Sequence, residues 1–236
     1  MRTFPLSVLA TIAFIASFPA FNAEASPKTF EQWCQQKDSL SAGAKNTVEA
    51  LLKQAETQDC KVANQKLNSF DEISITFGSI TDFEPIATLT NLTALYLIES
   101  SSEGVDRIEI TDLSPLSKLP KLTNLFLWNS QIKDVRQFTK LTGLTNLSLN
   151  DNGLSDVSPI AKLTKLEYLD LRSNQITDVT PLTSLPKLEY LDLVDNPLKI
   201  LKPLSSLKSL KFLNLSKTQF KPADCPSQPA SICHFF

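Results

Sequence analysis

A 22-residue pattern, L-x-x-L-x-L-x-x-N-x-(L/I)-x-D-(V/L)-x-P-(L/I)-x-x-L-x-x, starts at Leu122, Leu144, Leu166, Leu188 and Leu210, and two looser copies start at Phe70 and Leu92. A fixed period of this length leaves few architectures open. Each unit is too small to bury its own apolar face and does so only by stacking on its neighbours, which makes a solenoid. The unit LEYLDLRSNQITDVTPLTSLPK, from Leu166 to Lys187, is matched nearly position for position by LTNLSLNDNGLSDVSPIAKLTK before it and LEYLDLVDNPLKILKPLSSLKS after it. The register predicts a solenoid of seven units over residues 70–221.

The segment x-L-x-L-x alternates, so positions four and six of each unit point inward while positions three, five and seven point outward on parallel strands. One inward row reads Ile73, Leu95, Leu125, Leu147, Leu169, Leu191, Leu213, and the row two residues on reads Ile75, Leu97, Leu127, Leu149, Leu171, Leu193, Leu215. Burial of each such side chain contributes about 1.5–3 kcal/mol before ordering entropy is set against it. Asn152, Asn174 and Asn196 occupy the turn after the strand, where an amide can satisfy backbone groups that no ladder reaches. Gly78, Ser100, Ser130 and Thr218 replace it in other units. The recurring Asp82, Asp112, Asp134, Asp156 and Asp178 precede short turns, often with Pro at an early position, and are expected to cap those turns rather than to bind calcium.

These repeats resemble the leucine-rich-repeat family, in particular the 22-residue class of bacterial internalin-like proteins, over roughly Phe70 to Phe220. The G-x-I-P element of plant receptor repeats is missing. The resemblance implies an α/β leucine-rich-repeat solenoid with a curved parallel β-sheet on the concave side and 3₁₀ or irregular turns on the convex side. Its scaffold serves many partners, so it names no ligand.

Residues 1–25 begin with Arg2, continue through an apolar run from Phe4 to Phe21 interrupted by Pro5 and Pro19, and end in Ala23, Glu24, Ala25. This reads as a cleaved secretory signal, and no stable membrane anchor is expected. The location predicted is secreted or periplasmic. Four cysteines lie outside the repeats: Cys34 and Cys60 before them, Cys225 and Cys233 after them. An even count in an exported chain suggests disulfides. Seven units at about 5 Å per strand separate the two pairs by roughly 30 Å, against the under ~7 Å Cα separation a disulfide needs, so Cys34 is paired with Cys60 and Cys225 with Cys233. The bridges mark caps over the ends of the core. Residues 26–69 form a helical leading cap, with Phe30, Trp33 and Cys34 at helical spacing and Val48, Leu51, Leu52 and Ala55 on one face. Residues 222–236, with Pro222, Pro226 and Pro229, are expected to be a stapled loop without regular structure, Phe235 and Phe236 folding back on the last coil.

All three tyrosines, Tyr96, Tyr168 and Tyr190, fall on outward positions, together with Phe126, Trp128 and Phe212. Two aromatic clusters are predicted on the concave face. One comprises Tyr96, Ile98, Phe126 and Trp128; the other comprises Tyr168, Tyr190 and Phe212 beside Asp170, Arg172 and Asp192, the acids forming a solvated stripe. Several rings of about 150–250 Å² each on one face exceed what a monomer usually exposes without a partner, and Trp, Tyr and Arg dominate interface energetics. These residues are the candidate partner-binding site, with Trp128, Phe126 and Tyr96 as anchors. An insertion of about eight residues around Ser100 to Arg107 lengthens the second unit; it is read as a tolerated surface loop, the alternative being a loop that overhangs the leading aromatic cluster and shapes access to it.

Composition argues against chemistry. His234 is the only histidine and sits in the tail, beside Cys233; only five glycines exist, and no phosphate-cradling loop is among them. No metal or other cofactor is expected. With 23 basic against 25 acidic residues, no positive field is available to hold nucleic acid. The sequence therefore predicts a monomeric, non-enzymatic exported module that binds a protein or peptide, with a glycan as another possible ligand. The alternative reading is a structural or self-assembling component of the cell envelope.

Overall fold

The computed structural model describes residues 29–77, 80–99, 110, 112–226 and 230–235. The leader, the Ser100 to Arg107 insertion, Gly78 and Phe236 lie outside the described residues.

Three short helices open the structure: α1 (Phe30–Gln35), α2 (Ala42–Gln54) and α3 (Cys60–Leu67). Each begins on a side chain that satisfies an orphan amide of the first turn. Thr29 and Gln32 form a reciprocal capping box on α1, Ser41 accepts from the Ala44 N–H on α2, and Asp59 accepts from the Val62 N–H on α3. The buried face of α2 carries Ala44, Thr47, Val48, Leu51 and Leu52. Its first turn comes so close to the first coil that a Cβ at Gly43 meets the Thr81 hydroxyl, and Thr47 Oγ1 donates to the Asp82 carbonyl at 2.7 Å. The third helix was not anticipated, although Cys60, Ala63 and Leu67 have helical spacing behind Asp59. Disulfide Cys34–Cys60, with a Cα separation of 5.5 Å, ties α1 to α3.

The sheet follows in strict chain order, every strand parallel to its neighbour: β1 (Glu72–Phe77), β2 (Ala94–Glu99), β3 (Asn124–Trp128), β4 (Asn146–Ser148), β5 (Tyr168–Asp170), β6 (Tyr190–Asp192), β7 (Phe212–Asn214) and β8 (Cys233–His234). Register is set by the leucines: Ile73, Leu95, Leu125, Leu147, Leu169, Leu191 and Leu213 stand side by side and are buried. Behind them the chain returns through 3₁₀ turns such as Ser158–Lys162 and Thr180–Ser184. Asp82, Asp112, Asp134, Asp156 and Asp178 each accept the N–H two residues on, at 2.8–2.9 Å, which turns the chain into those segments. Hydrogen bonds from the side chains of Ser114, Arg136 and Thr180, followed by these N–H bonds, hold the carboxyls of Asp112, Asp134 and Asp178 below the ordinary carboxylate value.

One backbone feature makes the asparagine row possible. Asn129, Asp151, Ser173, Asp195 and Lys217 all have φ between 51° and 57°, the left-handed region, one residue before the turn position. That reversal swings the next side chain inward. Asn152, Asn174 and Asn196 are buried there, each accepting N–H bonds from the preceding coil and donating to carbonyls of both coils.

The trailing cap departs from the expected loop. It contains short 3₁₀ turns at Pro222–Asp224 and Ala230–Ile232 and then β8, so the sheet has eight strands where seven units were counted. Leu213 pairs with Cys233 and Asn214 with His234, and the Leu215 N–H donates to the His234 carbonyl at 2.7 Å. Disulfide Cys225–Cys233 anchors this strand, and Phe235 packs against the core. Cys233 lies 20 residues after its partner Leu213, two short of the repeat, which hid the strand from a 22-residue register.

Candidate functional site

Alternation leaves Tyr96, Phe126, Tyr168, Tyr190 and Phe212 half-buried on the outward face of the sheet, on β2, β3, β5, β6 and β7. Strand pairing brings neighbours within about 4.8 Å, the separation at which flat rings stack. They do so. Tyr96 and Phe126 stack at 4.8 Å and 9°, Tyr168 and Tyr190 at 4.4 Å and 13°, and Tyr190 and Phe212 at 4.6 Å and 3°. Phe126 reaches Tyr168 across the β4 strand at 6.5 Å, and meets Trp128 edge-on at 6.2 Å. The two expected clusters are thus one ladder, because Phe126 at position five and Tyr168 at position three bridge a strand that carries no ring. His234 extends it, stacking on Phe212 at 4.3 Å. The lone histidine, expected in a loose tail, is the ladder's last rung. Ile98 and Trp128 lie beside the leading rings, also half-buried.

A polar row runs along the ladder. Trp128 Nε1 donates to Ser148 Oγ at 2.9 Å, and Ser148 Oγ donates to Asp170 Oδ2 at 3.0 Å. Arg172 grips both Asp170 oxygens, Nε to Oδ1 at 3.1 Å and Nη2 to Oδ2 at 2.8 Å, and its Nε lies 3.9 Å from Asp192 Oδ2. Asp192 accepts from the Val194 N–H at 3.0 Å, from Asn214 Nδ2 at 3.1 Å and from the Tyr190 hydroxyl at 3.4 Å. Asp170 and Asp192 are each only 2% exposed. The expectation of a solvated acidic stripe is therefore corrected: Arg172 spans both acids and Tyr190 reaches over Asp192, so the groups are covered and hydrogen-bonded. Arg172 itself stays exposed.

Burial, then the charge of Asp192, pushes the Tyr190 hydroxyl up to about 12, and burial followed by Asp170 raises Tyr168. Burial also raises the Asp192 carboxyl above its ordinary 3.8. Between 3.8 and the raised native value the folded chain keeps a proton that the unfolded chain has released, so stability falls as pH rises through that window. Asp192→Asn removes this titrating proton. Urea titrations of both proteins should show the wild type losing ground to the variant as pH climbs through the acid range; a difference running the other way would mean that Arg172 and the hydrogen bonds outweigh burial.

The repeats also match known families. Models described as "Leucine Rich repeats (2 copies)" and "Leucine rich repeat" match residues 142–184 and 165–220. With eight parallel strands already in register, this decides the fold. The chain is a leucine-rich-repeat solenoid. Internalin C2 from Listeria monocytogenes is a similar leucine-rich-repeat structure, 29% identical with a TM-score of 0.61 over 75% of this chain and 77% of that one. A second internalin from the same bacterium is 35% identical, with a TM-score of 0.57 over 70% of this chain. The chain spans just under half of that protein, 47%. A leucine-rich-repeat protein of Leptospira interrogans, 22% identical over 71% of this chain and 46% of that one, shares the fold at a TM-score of 0.53. No curated protein matches the chain in sequence.

Proposed function

We propose that this chain is an exported, non-enzymatic recognition module whose concave sheet face binds a protein or peptide partner. The observation that carries the reading is the row of partly or fully exposed rings from Tyr96 to His234, which skips a strand only at β4. Apolar surface of that extent on one face is what a partner covers. The named face is Tyr96, Ile98, Phe126, Trp128, Tyr168, Tyr190 and Phe212, with Arg172 as its exposed charge and Asp170 and Asp192 as the groups that orient it. Leucine-rich-repeat scaffolds commonly serve as interaction modules, which supports the same reading. Export is supported by the two disulfides, which persist in oxidising compartments, and by the apolar leader.

The test is paired. The double variant Tyr96→Ser, Trp128→Ala should lose at least about tenfold in capture of partner proteins from the native host's surface fraction, each ring being worth more than about 1 kcal/mol at an interface. Its circular dichroism and melting curve should stay close to wild type. Unchanged capture of every partner would reject the face. Light scattering on the wild type addresses the self-assembly alternative: a monomer at all concentrations supports a module that binds other proteins.

A further inference from the structure

Stacking constrains what the ladder can touch. Three of its contacts have ring planes within 13° of parallel and centroids 4.4–4.8 Å apart, and Phe212 and His234 lie 25° from parallel at 4.3 Å. A ring stacked on a neighbouring strand has its face turned along the sheet and its edge turned to solvent. Tyr190 and Phe212 have stacked rings on both sides. Their faces are occupied by protein. The modes of recognition that need an open aromatic face are a nucleobase laid on a ring, a cation held above it, and a sugar stacked against it. None of these fits at Tyr190 or Phe212, whose faces are both filled. What these two rings keep outward is their edges, where the quadrupole is positive. Aliphatic groups pack against such edges, and thioether sulfur favours them.

Building on the binding face proposed above, we infer that Tyr190 and Phe212 take the ligand edge-on, and that the ligand there is a protein segment presenting Met, Leu, Ile or Val side chains. Among the described residues, Arg172 is the one Lys or Arg on the outward positions, and it is already gripped by Asp170, so apolar packing and not charge supplies the selectivity. His234 belongs to this surface. Its place depends on β8, which the Cys225–Cys233 bridge holds beside β7. The trailing cap therefore contributes a contact residue as well as a cover for the core.

A phage-displayed random peptide library and a glycan array, both presented to the folded wild-type protein, test the inference. Peptides enriched in Met, Leu, Ile and Val are expected, binding about tenfold more weakly to Tyr190→Ala and to His234→Ala. Tyr190→Phe, which keeps the ring, should retain most of the affinity. In the complex, nuclear Overhauser contacts should join peptide methyls to ring-edge protons of Tyr190 and Phe212. Glycan binding that Tyr190→Ala abolishes would overturn the edge-on ligand while leaving the face in place, as would selected peptides dominated by Lys, Arg or Trp. Peptides indifferent to both alanine variants, or no ligand in either array, would instead remove the binding face itself.

Discussion

Asn174→Ala is expected to lower the free energy of unfolding by about 3–5 kcal/mol, although it removes only a few atoms from a turn. The amide of Asn174 is 6% exposed and serves both neighbouring coils. Its Oδ1 accepts the N–H groups of Asn152 and Leu154 at 3.3 and 2.9 Å, and its Nδ2 lies 2.9–3.0 Å from the carbonyls of Leu149, Leu171 and Arg172. Alanine leaves two buried donors without an acceptor, each costing about 1–3 kcal/mol, and orphans carbonyls besides. Asn174→Asp separates the two halves of the role. A carboxylate still accepts from Leu154 but faces carbonyls it cannot serve, so the variant should be weak at neutral pH and partly recover in acid, where the protonated group regains a donor. Urea unfolding measures both. A cost under about 1 kcal/mol for the alanine variant would show that water takes over the amide's bonds, and the row would then be incidental to stability.

The same row explains why the repeats were legible in sequence. Leucine register and the buried asparagines depend only on position along the chain, and position is what a 22-residue period specifies. The covering of Asp170 and Asp192 was not legible, because it depends on the directions in which Arg172 and Tyr190 extend and on which strand lies alongside. Two acids on outward positions look solvated until a guanidinium bridging them is placed. The single aromatic ladder was hidden for a related reason. Its rungs change from position five at Phe126 to position three at Tyr168, so no column of the repeat displays it. His234 escaped because β8 breaks the period and prolines precede it, yet the run Ile232, Cys233, His234, Phe235 offers the alternation of a short strand. Helix α3 was the avoidable omission, since Asp59 followed by Cys60, Ala63 and Leu67 is a capped helix in miniature.

Opening the leading bridge, by Cys34→Ala with Cys60→Ala, is the other large effect expected, about 3.5 kcal/mol from loop closure across its 26 residues. The trailing bridge spans 8 residues and the same relation assigns it about 2.5 kcal/mol, so the leading variant should be the less stable of the two. Local structure strengthens the difference. Helix α1 has six residues, too few to persist without tertiary support, yet it delivers Phe30, Trp33 and Cys34 to the core. Released from α3, it would fray away from the cap and loosen α2, the helix that packs on β1, so that Ile73 and Ile75 would lose part of the cover that each inner coil receives from its neighbours. Amide exchange should therefore quicken first in α1 and α3 and spread inward from β1, while β5 and β6 stay protected. Should the trailing variant prove the more fragile, or exchange begin in the central coils, the leading helices would not be what protects the open end of the stack.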